Sequence, residues 1–477
     1  MSTEHVDLRI VNARVVNADH SFYGGVAVNN GTIVATGVEE ELPSAETEID
    51  AEGNYLLPGF IDPHVHLGIN AASDSYEEQF ASDFETETRG AIHGGVTSFI
   101  SFLSYSDQEY LPDLDYYIES GEQRSFIDFS FHANINKPHH VEEVWGLHDR
   151  GIRSYKLRYI WYKYVAPELG IDPSFEDRVY HILKQVAEMN HGVTMFHAEN
   201  ADLAKIRREE LQEEGRNDLE AWYESSPNIG ESMMVENIGH LTDFTDSRSY
   251  IVHLSAGESV DVCKRFQEQG VQIHAETLPA FLAHTYEDDM GVWGKISPPI
   301  LGEETRERLW EGLREGTIDY IWTDHCPHKR EAKEKGQGKY GDVWEAIPGD
   351  NNGMEYMLPV MMSEGVNRNR ISMERVVAVC STNNAKMWGL YPRKGVIAEG
   401  SDADMVIVDL DKTATVDDDF FHTMEPRYSS FHGWEFQGLP THTIVDGKVA
   451  VAHDELLVEP GSGSFLPRYD TGVPRRS

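Results

Sequence analysis

Three observations predict a parallel (β/α)8, TIM-like barrel flanked by a small β-sandwich built from both ends of the chain. Between residues 58 and 324, short apolar runs alternate with longer amphipathic stretches, the rhythm of strand, helix, strand. Before residue 58 and after residue 400, apolar and polar residues alternate at a period of two, with turn residues between the runs. After the first central strand there is no Gly-rich phosphate loop of the kind an open doubly wound sheet would need.

In order, strands are expected at 6–11, 26–28, 32–35 and 54–57, an antiparallel unit with hairpin turns at Asn29-Asn30-Gly31 and Glu52-Gly53-Asn54. Barrel strands are expected at 59–66, 96–102, 128–135, 154–160, 193–197, 250–254, 271–276 and 319–324. Helical patterns fall between them at 76–91, 175–190, 230–242, 258–269 and 303–315, with another at 373–391. Strand alternation returns at 403–409 and 441–451, with turns at Gly400-Ser401-Asp402 and Asp446-Gly447. Neither terminal half has enough strands to close a core alone, so the two are expected to combine. The expected domains are 1–57 and 391–460 for the sandwich and 58–390 for the barrel. A Gly/Ser/Pro-rich tail, 461–477, is expected to be loose or wrapped on a neighbour.

Composition excludes several classes of function. Acidic residues number 82 against 40 basic ones, a formal net charge of −42, and such a surface repels nucleic acid and anionic membranes. The acidity is spread in runs such as Glu39-Glu40-Glu41 and Asp417-Asp418-Asp419, which fits solvation in a halophilic, high-salt cytoplasm better than a partner-binding tail. Three cysteines without a Cys-X-X-Cys pair point to a reducing interior. No basic-then-apolar leader opens the sequence, and no apolar run nears the roughly 18 residues a membrane helix needs. A cytoplasmic location is the expectation.

The chemistry gathers at the expected strand ends. In Pro58-Gly59-Phe60-Ile61-Asp62-Pro63-His64-Val65-His66 a buried strand ends in His-X-His, and side chains at i and i+2 share one face. Two imidazoles side by side are a ready ligand pair for zinc or a similar ion, although His-X-His alone also occurs at ordinary solvated strand ends. Strand four carries Lys156, strand five ends in His197-Ala198-Glu199-Asn200, strand six in His253-Leu254-Ser255, and strand eight in Thr323-Asp324-His325-Cys326-Pro327. Singly, His197 or His253 reads as a core histidine and Asp324 as a helix cap. Together, four histidines and an aspartate on one rim fit a metal site, since barrel catalytic groups come from the C-terminal ends of several strands. An ammonium at Lys156 would repel a cation, so this lysine serves a metal only after losing its charge, as reaction with carbon dioxide to a carbamate would achieve. His132, His274 and His325 read as packing or supporting residues, and Cys326 as buried.

In these motifs the chain resembles the cyclic amidohydrolases, most closely the hydantoinase and dihydropyrimidinase group. The resemblance covers nearly the whole length and includes Ser154-Tyr155-Lys156, Ser297-Pro298-Pro299-Ile300, Thr323-Asp324-His325-Cys326-Pro327, Ile347-Pro348-Gly349 and Asn352-Gly353-Met354-Glu355. It implies two divalent metal ions, zinc foremost. One would be held by His64, His66 and Asp324 and the other by His197 and His253, with a carbamate on Lys156 and a hydroxide between them. It further implies that Asp324 shuttles the proton and that Ser297 and Asn352 contact a small cyclic amide, with an N-carbamoyl amino acid as product and a homotetramer as the assembly. The family tyrosine five residues after the lysine is replaced here by Trp161. Tyr162 fits the same feature after one inserted residue, and Tyr159 is another candidate. Glu276-Thr277-Leu278-Pro279 replaces the family's Glu-Thr-Cys-Pro. Allantoinase or dihydroorotase chemistry on the same centre is the alternative, with Arg158 a possible carboxylate partner. A non-catalytic assembly role fits less well, because all six ligand positions are kept.

Overall fold

The computed structural model describes residues 5–69, 76–103, 109–158, 176–189, 191–335, 342–423 and 428–468. The chain begins with β1 (Val6–Val16), β2 (Ser21–Asn29), β3 (Thr32–Gly37), β4 (Ala45–Asp50) and β5 (Tyr55–Pro58). Strands β1 to β3 form a meander whose second turn is the expected hairpin. Asn30 and Gly31 both take positive φ, 50° and 76°, as a two-residue turn that follows strand twist demands. Glu52-Gly53 is not a hairpin. Strands β4 and β5 both run parallel to β1, one after the other along the same edge. Glu52 and Gly53 (φ 55° and 81°) step the chain past a register shift in β1 at Asn12, where Gly53 N donates to Asn12 O at 2.7 Å.

The central strands are β6 (Phe60–Val65), β7 (Val96–Leu103), β8 (Asp128–Asn134), β9 (Ser154–Arg158), β10 (Val193–His197), β11 (Ser249–Ile251), β12 (Ile273–Thr277) and β13 (Tyr320–Ile321). They pair in sequence order, all parallel, with helices such as Tyr76–His93, Asn228–Thr245 and Glu303–Glu315 between them. Every residue of β7 and β8 is buried, as expected for strands covered by helices outside and side chains inside. The ring closes where His66 N donates to His325 O (2.9 Å) and His325 N to His64 O (3.2 Å). Ile100, Phe102, Met195, Tyr250, Trp322 and Trp388 pack into one cluster, so the barrel interior below the rim is solid core.

The C-terminal strands β14 (Met405–Thr415), β15 (Glu435–Val445), β16 (Lys448–Ala452) and β17 (Glu455–Leu456) join β5 through β14, giving one nine-stranded sheet from both chain ends. Its own core mixes the two halves, with Ile10, Val26, Val28 and Leu56 against Met405, Ile407 and Ile444. Lys394, only 2% exposed, ties this sheet to the barrel by pairing with Asp128 at the start of β8 and with Asp404 before β14.

The described part of the tail, 461–468, is not loose. It lies along the barrel, where Phe129 N donates to Ser464 O, Leu466 N to Phe129 O and Arg468 N to Gly151 O. Arg468 is buried, donates to Ser154 Oγ (2.9 Å) and Phe131 O, and faces the Trp388 ring. Two of its guanidinium nitrogens donate to groups at the start of β9 and inside β8, a placement composition alone does not reveal.

Candidate metal centre

Strand register delivers the expected ligands. His64 and His66 leave the end of β6 on one face, Lys156 sits within β9, and His197 is the last residue of β10. His253 and Asp324 follow β11 and β13, and both turn into left-handed backbone, φ 37° and 52°. That costs a non-glycine residue of the order of 1–3 kcal/mol, a strain that recurs at functional sites. The same turns explain why β11 and β13 stop short of their expected ends: the chain leaves the sheet to aim an imidazole and a carboxylate into the mouth.

Side chains of all six residues are gathered there and buried. Nε2 of His64 lies 3.0 Å from Asp324 Oδ1, and Nε2 of His66 lies 3.2 Å from the same oxygen. Lys156 Nζ is 3.5 Å from His64 Nε2. The His253 ring stands 5.6 Å from that of His64 and 4.4 Å from that of His197, which links the two halves of the set. One donor atom from each of His64, His66 and Asp324 falls within 4.8 Å of the others.

Electrostatics suit a cation. Burial lowers His64 to about 3, with Lys156 adding to the effect against the pull of Asp324. Burial, then His197 and Lys156, hold His253 well below 6.5. Both imidazoles are therefore neutral, the form that binds metal. Burial pushes Asp324 upward, but His64 and His66 outweigh it and keep the carboxyl well below its ordinary range, so it is ionised. Among the described residues His253 Nδ1 is buried without a hydrogen-bond partner, and an imidazole pair beside a carboxylate is a borderline-metal donor set. The residues fit a divalent metal.

Three buried acidic side chains orient the rim imidazoles and brace the strands that carry them. Glu276 Oε1 takes the Nδ1 edge of His64 at 2.7 Å and accepts His253 N–H at 2.8 Å. Glu199 takes the Nε2 edge of His197 and accepts from Ser226 Oγ at 2.9 Å, leaving His197 Nδ1 as the other nitrogen. Asp62 accepts from the Thr323 hydroxyl and from His64 N (3.2 Å), bracing the two strands that carry the His-X-His pair and Asp324. Such supporting groups fix tautomer and ring direction. Their signal in the sequence is positional: Asp62 and Glu276 occupy buried strand positions, and Glu199 sits two residues past His197.

Asn352 is buried and caps the helix Gly353–Val360 from φ 64°, with Nδ2 donating to Tyr428 O and Oδ1 accepting from Thr423. Its backbone carbonyl accepts from Glu355 N (2.9 Å) and Tyr356 N (3.0 Å) in the first turn of that helix. Ser297 is half-buried in the segment after Lys295. Tyr159, Trp161 and Tyr162 lie outside the described residues, as does the side chain of Arg158. His132 pairs with Ser154 and with Pro63 O, His325 pairs with Glu87, His274 lies against Tyr320, and Cys326 is buried, so each of these is part of the supporting structure.

A closed parallel barrel with four imidazoles, an ionised carboxylate and a lysine at one rim defines a metal-dependent hydrolase architecture. Residues 55–450 match the model of the amidohydrolase family, and the chain belongs to that family. It is 31% identical over 469 residues to the L-hydantoinase of Paenarthrobacter aurescens, covering 97% of this chain and 98% of that one. It is 30% identical over 472 residues to the D-hydantoinase of Ralstonia pickettii, with 97% and 99% covered. Among solved structures, the L-hydantoinase (dihydropyrimidinase) from Arthrobacter aurescens superposes with a TM-score of 0.88 at 30% identity, covering 97% of this chain and 100% of the other. The dihydropyrimidinase from Brevibacillus agri gives 0.85 at 28% identity, with 98% and 99% covered. No helix among the described residues is long and apolar enough to cross a membrane.

Proposed function

We propose that this protein hydrolyses the C–N bond of small cyclic amides, hydantoin and dihydropyrimidine rings, to N-carbamoyl amino acids. The observation that carries the proposal is the meeting of His64, His66 and Asp324 around one point, with Lys156 and His253 beside them. The relatives named hydantoinase and dihydropyrimidinase support the choice of substrate class.

His64, His66 and Asp324 would hold one divalent ion, zinc foremost, and His197 and His253 a second, with Lys156 as a carbamate between the two. When bound, the ions supply Lewis-acid polarisation of the amide carbonyl and lower the pKa of water. The ionised Asp324 carboxylate takes the proton given up by the attacking water. It returns that proton to the ring nitrogen as the C–N bond breaks, so the carbonyl carbon gains the hydroxyl and the nitrogen the hydrogen. Backbone at Ser297 and Asn352, together with Tyr162, would orient the ring. The proposal extends to the domain limits 1–57, 58–390 and 391–460, to a homotetramer and to the cytoplasm.

Hydrolysis of hydantoin, dihydrouracil, allantoin and dihydroorotate by zinc-loaded protein in high salt tests this reading. Ring opening of hydantoin or dihydrouracil is expected. Turnover of allantoin or dihydroorotate alone would overturn the substrate choice. Lys156→Ala should lose at least one bound ion per chain, and full retention of metal would refute the carbamate.

A further inference from the structure

A second cluster of metal-ligating side chains lies outside the barrel mouth, where the helix Tyr76–His93 meets the terminal sheet. His93 ends that helix, His422 follows β14, and Asp454 lies in the turn between β16 and β17. His422 Nε2 is 3.3 Å from Asp454 Oδ1, and His93 Nδ1 is 3.7 Å from the same oxygen. Donor atoms from the three residues all fall within 4.8 Å of one another. Ligands at about 2.1 Å from one ion stand roughly 3–3.7 Å apart, so the spacing suits a first-row divalent metal.

Two further observations point the same way. His422 is already oriented as a ligand: Glu355 takes its Nδ1 at 2.6 Å and its backbone N–H at 3.1 Å, which turns Nε2 toward Asp454. Gly90 makes this possible, since a Cβ there would stand 2.7 Å from a Glu355 carboxylate oxygen. A carboxylate behind a histidine is the usual support of a metal-bound imidazole. Then His93 Nδ1 is buried and has no hydrogen-bond partner among the described residues, because 3.7 Å to Asp454 is too long for one. A buried imidazole nitrogen facing a carboxylate and a second imidazole nitrogen is completed by a cation.

We propose that His93, His422 and Asp454 form a second, non-catalytic site for a divalent transition ion, of the zinc, nickel or copper class. Two imidazoles and one carboxylate select such ions over magnesium or calcium, which prefer oxygen. The site opens into a crevice of about 940 Å³ between sheet and barrel, whose walls carry Glu48, Asp50, Asp409, Asp417 and Asp419. That lining concentrates cations at its entrance. The two rings now stack at 3.5 Å and 4°. Both nitrogens reach one ion only if the rings splay. His422, with its side chain 26% exposed, and Asp454, 70% exposed, have room to move. The site joins a barrel helix to the terminal sheet, so an ion here staples the two domains together.

The test counts a difference and therefore holds whatever the barrel mouth contains. Wild type, Asp454→Asn and His422→Gln are loaded with Zn²⁺, desalted and analysed for ions per chain, with hydrolytic activity measured on the same samples. Wild type is expected to hold one more ion per chain than either variant, Asp454→Asn to weaken that ion at least tenfold, and activity to stay within twofold. With Cu²⁺ in place of Zn²⁺, the spin-resonance signal of two nitrogen ligands should disappear in His422→Gln. Equal metal content in all three proteins overturns the proposal. So does metal loss accompanied by proportional loss of activity, because the missing ion would then belong to the barrel mouth.

Discussion

Glu199→Gln isolates the role of a buried carboxylate that touches no substrate. Glu199 is 4% exposed, and although burial pushes its carboxyl up, His197, Ser226 and Arg208 outweigh that and keep it ionised. It fixes His197 by taking Nε2, which leaves Nδ1 with its lone pair for the rim. Glutamine keeps the shape and one acceptor oxygen but removes the charge. A hydrogen bond to a charged group is worth about 1.5–3 kcal/mol, and a neutral one about half of that. Loss of such a support typically weakens metal binding by about 10–100-fold, or about 1.4–2.7 kcal/mol. The ion held by His197 and His253 is therefore expected to weaken by that factor, and the ion at His64, His66 and Asp324 to change by less than threefold. Competition against a chromophoric chelator resolves the two occupancies. Equal affinity for both ions in variant and wild type would refute the role given to Glu199 and the assignment of His197 as a ligand.

Further outcomes follow from the same geometry. Asp324→Asn should lower kcat by about 10²–10⁴ with KM within a few-fold, read alongside metal content to separate proton transfer from ion loss. Lys394→Met should cost about 3–5 kcal/mol, measured by urea unfolding, because Asp128 and Asp404 would be left buried without their cation. The imidazole of His132 is held well below 6.5 by burial and then by Arg468, so in the folded protein it stays neutral while the unfolded chain protonates. Stability is therefore lost as pH falls below 6.5, approaching about 1.4 kcal/mol per unit. Relative to His132→Asn, wild type should lose about 2 kcal/mol between pH 8 and pH 5, and parallel curves would contradict this.

The sequence showed the barrel and the residues that gather at its mouth because both obey short-range rules. Strand periodicity puts His64 and His66 on one face, and Lys156, His197, His253 and Asp324 each lie in or just after an apolar run, so the rim could be assembled without coordinates. What stayed hidden depends on contacts across the fold. Glu52-Gly53 carries ordinary hairpin residues, and only the parallel pairing of β4 and β5 with β1 shows that the chain continues along one edge there. The tail has a loose composition, yet Arg468 finds acceptors in strands more than 300 residues earlier. Backbone at His253 and Asp324 turns left-handed where apolar alternation predicts more strand, which aims both side chains into the barrel mouth at some cost to local preference. Glu276 and Glu199 read as motif letters until the structure shows which imidazole edge each one takes.

Anomalous scattering from a zinc-loaded crystal, collected on both sides of the zinc edge, tests the central claim most directly. Two peaks are expected in the barrel mouth, one among His64, His66 and Asp324 and one at His197 and His253, with density for the modified Lys156 between them. No peak in the mouth, or a single peak beside an unmodified lysine, would contradict the account.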